Sequence, residues 1–335
     1  MRILLVLGNK ADTGGPTKYA QQLVPILSAR GHQVEFITYG RFIRAMPTGM
    51  RHVAFALRSL RAAARSDIML GFDTMTVGAP LLIASVLTRT PYCIRIGGDF
   101  VWEQFVESTG TKVKLSQFYS LTNLPLKARF SIWLTGRIAR RAQGLVFNSA
   151  WQRALWQPVY KLDAARSHVV ENLYPPRLPG QQPAKRVFVS AGRAIVLKQE
   201  PLLRKVIESL KGRYPDIELD TTSLPPAEHA ARVARSYAVV LPSVSDVSPN
   251  AIIDAVVYGK PFVCTDDTGI RERLEGTGLF VDTANEQALS DAIESLLAPG
   301  TYEQVAERVR AFGLVRTWDD VGADFERVLT SICAS

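Results

Sequence analysis

The sequence predicts an α/β protein built from two doubly wound halves, and three observations carry that expectation. Strand and helix signals alternate from end to end, which implies parallel sheets covered by helices on both faces. A chain of 335 residues is too long for one ordinary core and fits two domains of roughly 150 residues. The stretch Leu173-Tyr-Pro-Pro-Arg-Leu-Pro-Gly-Gln-Gln-Pro183 breaks the alternation in the middle, because so many prolines cannot continue a helix or a central strand. Two halves joined by such a hinge leave a central cleft. Ligands of open α/β sheets bind beyond the carboxyl ends of the strands, so both halves are expected to face it.

The elements follow in order. A strand at residues 3–7 leads to a helix at 17–30 closed by Gly31, then a strand at 33–38. After a basic helical stretch come short strands near 68–70 and 92–96, with a helix at 77–88 between them. A long helical region is expected from about 113 to 141, then a strand at 145–147, a helix at 150–156 and a strand at 167–170. Beyond the prolines the pattern restarts with a strand at 186–191, a helix at 200–211, a strand at 217–220 and a helix at 227–235. Strands at 238–241, 262–265 and 279–281 complete the second sheet, with helices at 250–258 and 286–297. The expected division is 1–172, a linker at 173–184, 185–315, and a C-terminal helix at 316–335 in a position to pack back on the first half.

Composition narrows the class. With 47% hydrophobic and 21% charged residues the chain reads as an ordinary soluble protein. No apolar run approaches the ~20 residues that span a bilayer. The opening Met1-Arg-Ile-Leu-Leu-Val-Leu-Gly8 is too short an apolar run for a cleavable signal and reads as a first strand. Cys93, Cys264 and Cys333 are odd in number and widely spaced, which points to reduced structural thiols and a cytoplasmic protein. The four histidines show no metal-ligand spacing, so no metal is expected. Charge is uneven: residues 1–170 hold 22 Lys and Arg against 8 Asp and Glu, a balance of +14, while 171–335 hold 18 against 23, a balance of −5. A first half so basic points to a polyanion or an anionic surface.

Three constellations point at the expected cleft. Gly8-Asn-Lys-Ala-Asp-Thr-Gly14-Gly15-Pro16-Thr17 follows the first strand; Gly14 and Gly15 permit close backbone approach, and the next helix presents N–H groups to an anion. It is neither a dinucleotide fingerprint nor a P-loop, and a plain strand-to-helix turn fits it equally. Ser190-Ala-Gly192-Arg193-Ala-Ile-Val-Leu-Lys198 follows the first strand of the second half. Gly192 allows a tight exit, and Arg193 with Lys198 suits a diphosphate, or else both are solvated surface charges. The third is Pro242-Ser-Val-Ser-Asp246-Val-Ser-Pro-Asn-Ala-Ile-Ile-Asp254-Ala-Val-Val-Tyr-Gly259-Lys-Pro261. One carboxylate precedes the helix start and the other lies about a turn inside it, where both can line a crevice and accept from sugar hydroxyls. The plain alternative is that Asp246 or Ser248 caps the helix while Asp254 faces solvent.

The third stretch, continued by Phe-Val-Cys-Thr-Asp-Asp-Thr-Gly269-Ile-Arg-Glu272, resembles the signature of the retaining glycosyltransferases of family 4. Gly192-Arg193…Lys198 stands at that family's G-R-x-x-x-x-K, and Gly14-Gly15…Leu23…Leu27…Gly31-His32-Gln-Val34 is similar to its first helix. The likeness is strong over 186–297 and moderate over 1–40. It implies the GT-B fold, two Rossmann-like doubly wound domains facing a central cleft. It implies a nucleotide-sugar, UDP- or GDP-linked, held by the second domain, and an acceptor held by the first. By position Arg193 and Lys198 would contact the donor diphosphate, Gly192 would allow the approach, and Asp254 would hold the ribose. Asp246, with the backbone of Val247, Ser248 and Asn250, would hold the transferred sugar, and Gly15 beside Gly14 would meet the phosphates from the other domain. With no D-x-D in a suitable loop, the resemblance implies metal-independent transfer and no cofactor beyond the donor.

The departures are specific. Both family glutamates are aspartates here, Asp246 and Asp254. The family's V-H-G is replaced by Arg95-Ile-Gly97-Gly98-Asp99-Phe-Val-Trp102-Glu103, which carries no histidine; Asp99 and Glu103 are natural substitutes for gripping acceptor or donor hydroxyls, with Asp99 placed at the site and Glu103 there or else a surface residue. The turn at 221–226 is shortened, so the base is not readable. Arg51, Arg58, Arg61 and Arg65 lie with Phe55, Leu57 and Leu60 on one helical stretch. Lys112, Lys114, Lys127, Arg129, Arg137, Arg140 and Arg141 lie with Phe118, Tyr119, Phe130, Ile132, Trp133 and Leu134 on another. Such faces suit an anionic membrane carrying a lipid-linked or glycan acceptor, or else they are solvated surface over core residues. The expected function is retaining transfer from a nucleotide-sugar to such an acceptor at the cytoplasmic face of a membrane, in polysaccharide biosynthesis. The alternatives are a GT-B protein that binds the donor without catalysis, and a basic nucleic-acid-binding protein, for which no helix-turn-helix or RNA-binding signature is present.

Overall fold

The computed structural model describes residues 1–8, 15–190, 192 and 195–334, with the backbone but not the side chain of Thr48. The chain forms two compact units, each an α/β body around its own parallel sheet. Unit 1 is Met1–Val101, Thr122–Leu173 and Thr317–Ser335; unit 2 is Trp102–Leu121 and Tyr174–Arg316.

In unit 1 the chain runs β1 (Arg2–Leu7), α1 (Gly15–Ala29), β2 (Gln33–Thr38), α2 (Gly40–Arg44), α3 (Thr48–Ala63), β3 (Ile68–Gly71), α4 (Gly78–Thr88) and β4 (Tyr92–Ile96). The helix α5 (Phe100–Thr109) leads into unit 2, which also holds the short α6 (Leu115–Phe118). Unit 1 resumes with α7 (Leu126–Arg141), β5 (Gly144–Phe147), α8 (Ala150–Tyr160) and β6 (Ser167–Val169). Its sheet has the order β2-β1-β3-β4-β5-β6, all parallel, with Leu4 opposite Glu35 on one side and Met69 on the other. Ile3, Leu5 and Leu7 of β1 point into a core shared with Leu23 and Leu27 of α1. The same core takes Val321, Phe325 and Leu329 from the last helix.

Unit 2 runs β7 (Arg186–Val189), α9 (Glu200–Lys211), β8 (Ile217–Asp220), α10 (Pro226–Arg235), β9 (Ala238–Leu241), α11 (Asn250–Val257), β10 (Phe262–Thr265), β11 (Leu279–Val281), α12 (Glu286–Leu297) and α13 (Thr301–Ala311). Its strand order is β11-β10-β9-β7-β8, again all parallel. Tyr174 and Arg316 exchange backbone hydrogen bonds of 3.0 and 2.7 Å, so the chain enters and leaves this unit side by side. The last helix, α14 (Trp318–Cys333), lies in unit 1 and starts with a capping box between Thr317 and Asp320. It packs closely on α1 at Gly322, where a Cβ would run into the Ile26 side chain.

The expected helix over 113–141 is two helices. Pro125 disfavours the helical conformation at Leu124 and lacks an N–H, so α7 begins at Leu126 with Pro125 as its cap residue. Two helices have no counterpart in the sequence reading: α5, which starts after the Gly97-Gly98 turn, and α13, which starts after Pro299 and Gly300 at φ 81°. Among the described residues no helix is long and apolar enough to cross a membrane.

Candidate functional site

The sheet of unit 2 reverses its winding direction between β7 and β9, since β8 lies on one side of β7 while β9, β10 and β11 follow on the other. At such a point the loops leaving two neighbouring strands diverge and open a crevice at their carboxyl ends. The loop from β7 carries Ser190, Gly192 and a 3-10 turn at Val196–Lys198; the loop from β9 carries Pro242 to Pro249.

Lys198 and Asp246 meet there. The Lys198 ammonium donates to Asp246 Oδ2 at 2.7 Å and to Ser243 Oγ at 3.1 Å. Among the described residues, then, two of its three donors are taken. Both side chains are about one-fifth exposed, at 20% and 19%. Gly192 runs so close that a Cβ would lie 3.4 Å from the Lys198 side chain. The other Asp246 oxygen accepts from the Ser248 N–H at 3.2 Å, and the Asp246 backbone is stitched to Asp267 and Gly269 of the loop after β10.

The turn that presents Lys198 is held on both sides. Gln199 adopts the left-handed conformation at φ 47°. Its buried amide donates to the carbonyls of Pro242 at 2.7 Å and Thr283 at 3.3 Å. The Val244 N–H donates to the Leu197 carbonyl at 3.0 Å, tying the two loops together.

Residues 102–121, sequence neighbours of the first sheet, close the same edge. Lys114 Nζ bridges Asp266 at 2.9 Å and Asp282 at 3.2 Å, the residues that follow β10 and β11. Burial alone would lower the Lys114 pKa, but the two carboxylates outweigh it and hold it above its ordinary value. The backbone N–H of Leu115 donates to Ser245 Oγ at 2.9 Å and that of Ser116 to Asp267 at 3.3 Å. Glu107 accepts from the N–H groups of Val196 at 3.1 Å and Leu197 at 2.8 Å. Lys114 is therefore not part of an exposed basic face with Lys127 and Arg129, as its spacing implied; it is mostly buried between two carboxylates.

The remaining expected residues fall as follows. Asp254 lies in α11 with Oδ2 3.4 Å from His229 Nε2 of α10, and its partner is that histidine rather than the Lys198 pair. Val247 is buried, Asn250 is the exposed first residue of α11, and the helix has no side-chain cap. Gly15 opens α1 with nothing near the place of a Cβ. Gly14 and Arg193 lie outside the described residues. Asp99, in unit 1, is fully buried and accepts from the Trp156 indole at 2.8 Å. Glu107, Lys114, Gln199, Ser243, Asp266, Asp267 and Asp282 are the residues that sequence reasoning missed as parts of this edge. Three of those carboxylates stand just beyond strand ends, a signal the strand pattern could have given. Among the described residues no group of three or more His, Cys, Asp or Glu is placed to hold a metal ion. A cavity of about 310 Å³ elsewhere in unit 2 is lined by Tyr174, Arg177, Val257, Arg310 and Phe312, none of them a residue of the strand-end cluster.

Comparison with known proteins bears on this arrangement. Residues 182–299 match the family model described as glycosyl transferases group 1. Residues 14–172 match the glycosyl transferase 4-like domain, so the two models together account for most of the chain. The chain belongs to the family 4 type of glycosyltransferases. No curated protein matches this glycosyltransferase in sequence. Solved structures do match in fold. HepE of Anabaena, solved with UDP and glucose, has a TM-score of 0.70 at 13% identity over 99% of this chain and 100% of its own. Sucrose-phosphate synthase of Thermosynechococcus elongatus has 0.70 at 15% identity, covering 99% of both chains. The catalytic domain of starch synthase IV of Arabidopsis thaliana, bound to ADP and acarbose, has 0.67 at 11%, covering 100% of this chain and 99% of its own. At such identities the likeness shows the two-domain GT-B fold of this glycosyltransferase.

Proposed function

We propose that this glycosyltransferase is a retaining enzyme that transfers a hexose from a UDP- or GDP-linked donor to a glycan or lipid-linked acceptor. Transfer takes place at the cytoplasmic face of an anionic membrane, in polysaccharide biosynthesis, with protein cations rather than a metal taking the charge of the leaving group.

The observation that carries the donor half is the cluster of Lys198, Ser243 and Asp246 at the switch point of the second sheet. Glycosyl transfer breaks the bond between the anomeric carbon and a phosphate oxygen, and negative charge grows on the departing diphosphate. A cation fixed at that place stabilises the transition state more than the ground state. Lys198 is that cation in this reading, with Arg193 as the second. Asp246, with the backbone of Val247, Ser248 and Asn250, takes hydroxyls of the transferred sugar, and Asp254 takes the ribose. Donor arrival exchanges the ion pair of Lys198 and Asp246 for a phosphate on one side and hydroxyls on the other. Neither charge is then left without a partner, which matters at a site mostly withdrawn from water. The solved complexes of HepE with UDP-glucose and of starch synthase IV with ADP support the reading, as proteins of the same fold that hold such ligands.

The acceptor half rests on unit 1. On its helices α3 and α7 the apolar residues Met50, Val53 and Leu57, and Leu126, Phe130 and Trp133, are exposed at helical spacing. The helix α4 packs between these two and exposes Val86 and Leu87. The chain has no acidic residue between Glu35 and Asp67, nor between Glu107 and Asp163, so α3 and α7 carry arginine and lysine and no carboxylate. A face both apolar and cationic fits the headgroup region of an anionic bilayer.

The donor reading is tested by titrating UDP and GDP into the wild type and Lys198→Ala. One of the two binds the wild type and loses about 10- to 100-fold in affinity in the variant, as removal of a charged hydrogen bond requires. Binding of neither nucleotide, or equal binding by both proteins, contradicts it.

A further inference from the structure

Glu107 is an acidic residue at an edge assigned to a diphosphate, where an anion ought to be unwelcome. Its helix α5 is anchored in unit 2 by contacts further along: Leu115 and Phe118 are fully buried, Phe105 packs on Phe118 at 5.3 Å between ring centres, and Lys114 is clamped by Asp266 and Asp282. Glu107 is therefore presented from a fixed element. Its two oxygens take the N–H groups of Val196 and Leu197, the first two residues of the turn whose third residue is Lys198. On the far side of Lys198 the turn is fixed by Gln199, and Leu197 is joined through its carbonyl to Val244 in the loop of Ser243 and Asp246.

We propose that Glu107 is a positioning residue for Lys198: its carboxylate sets the turn that aims the ammonium at the donor's diphosphate. The proposal rests on the donor reading above. A three-residue turn makes little hydrogen bonding of its own, and its leading N–H groups have no partner within it. Left to water, the turn has several conformations and Lys198 swings with it. Held by two charge-assisted bonds from Glu107, it has one. The benefit of a preorganised cation then outweighs the cost of a negative charge whose oxygens are already turned toward the backbone. The arrangement also explains why residues 102–121 belong to unit 2 although the sequence places them amid the first sheet.

A double-mutant cycle separates this role from a merely structural one. UDP and GDP are titrated into the wild type, Glu107→Ala, Lys198→Ala and the double variant, with amide exchange at Val196 and Leu197 followed in parallel. Glu107→Ala weakens nucleotide binding about tenfold in the wild-type background and less than about twofold when Lys198 is already alanine. Exchange at both amides quickens, and Glu107→Gln, which keeps one acceptor oxygen but loses the charge and turns an amino group toward the other N–H, recovers only part of the affinity. Glu107→Ala binding the nucleotide as well as or better than the wild type overturns the proposal. So does an equal loss in both backgrounds, which would mean that Glu107 acts without Lys198. If the wild type itself binds neither nucleotide, the donor reading fails and this inference falls with it; if the wild type binds and only the cycle fails, the donor reading stands alone.

Discussion

An ammonium and a carboxylate 2.7 Å apart, each about one-fifth exposed, are poorly placed to stabilise a fold, because much of their attraction is offset by the water they give up. Asp246 and Lys198 sit instead where two loops diverge, with Ser243 as a third partner. Glu326 is the contrasting case. On α14 of unit 1 it accepts from Arg30 at 2.9 Å and meets His32 at 3.1 Å, far from the strand-end cluster in sequence and function. The Arg30 hydrogen bond holds its carboxyl below the ordinary 4.5; burial opposes it, and the His32 hydrogen bond and the two nearby cationic groups add to the lowering. A lowered folded-state pKa contributes stability that is present above the unfolded value and is lost as pH falls through the folded one. Glu326→Gln is therefore expected to melt below the wild type at pH 7, with the two converging in acid once the pH has fallen below the folded-state pKa of Glu326. An equal gap at both pH values would show that the charge of Glu326 contributes nothing. Single residues differed in how far the sequence disclosed them. Lys198 and Asp246 each follow a strand at readable spacing. Glu107 and Lys114 reach their partners across 89 or more residues, and no local period records such a contact.

Among elements, the strands were legible because short apolar runs bounded by turn residues leave little choice, and every strand of both sheets has its counterpart in the sequence. Helix limits were less so. Pro125 cuts one expected helix in two, and α5 hides in a stretch whose glycines read as loop. The face of α3, α4 and α7 needed the structure, since periodicity marks an apolar stripe without saying whether core or solvent meets it. Phe55 proves to be core, while Phe130 and Trp133 are 60% and 55% exposed. These two lie with ring centres 5.6 Å apart and present one apolar ridge. Phe130→Ser with Trp133→Ser is expected to weaken binding to phosphatidylglycerol vesicles about tenfold, leaving nucleotide binding as it was. Vesicle binding that ignores both the substitutions and the content of anionic lipid would remove the membrane from the account.

For the whole molecule, the two sheets share a winding order, β2-β1-β3-β4-β5-β6 and β11-β10-β9-β7-β8, each reversing beside its first strand. At that reversal the loops leaving neighbouring strands diverge beyond their carboxyl ends and open a crevice. Charge is uneven as well, with a basic first half and an acidic second. The acidic half is the one proposed to take a diphosphate, so the donor reading rests on the few cations at its strand ends and not on the balance of the chain. The likeness of motifs disclosed the family and the fold. The sugar and the base stayed hidden, because Asp246 and Asp254 shorten both family carboxylates and the turn at 221–226 is cut down. The central claim is retaining transfer from a nucleotide-sugar with Lys198 at the leaving group, and one measurement addresses it directly. The protein is incubated with UDP- and GDP-linked hexoses, and the anomeric proton of the released or transferred sugar is followed by NMR. Turnover of one donor with its anomeric configuration kept is expected, slowed about 100-fold or more in Lys198→Ala; an inverted product, or no turnover of any donor, would contradict retaining transfer.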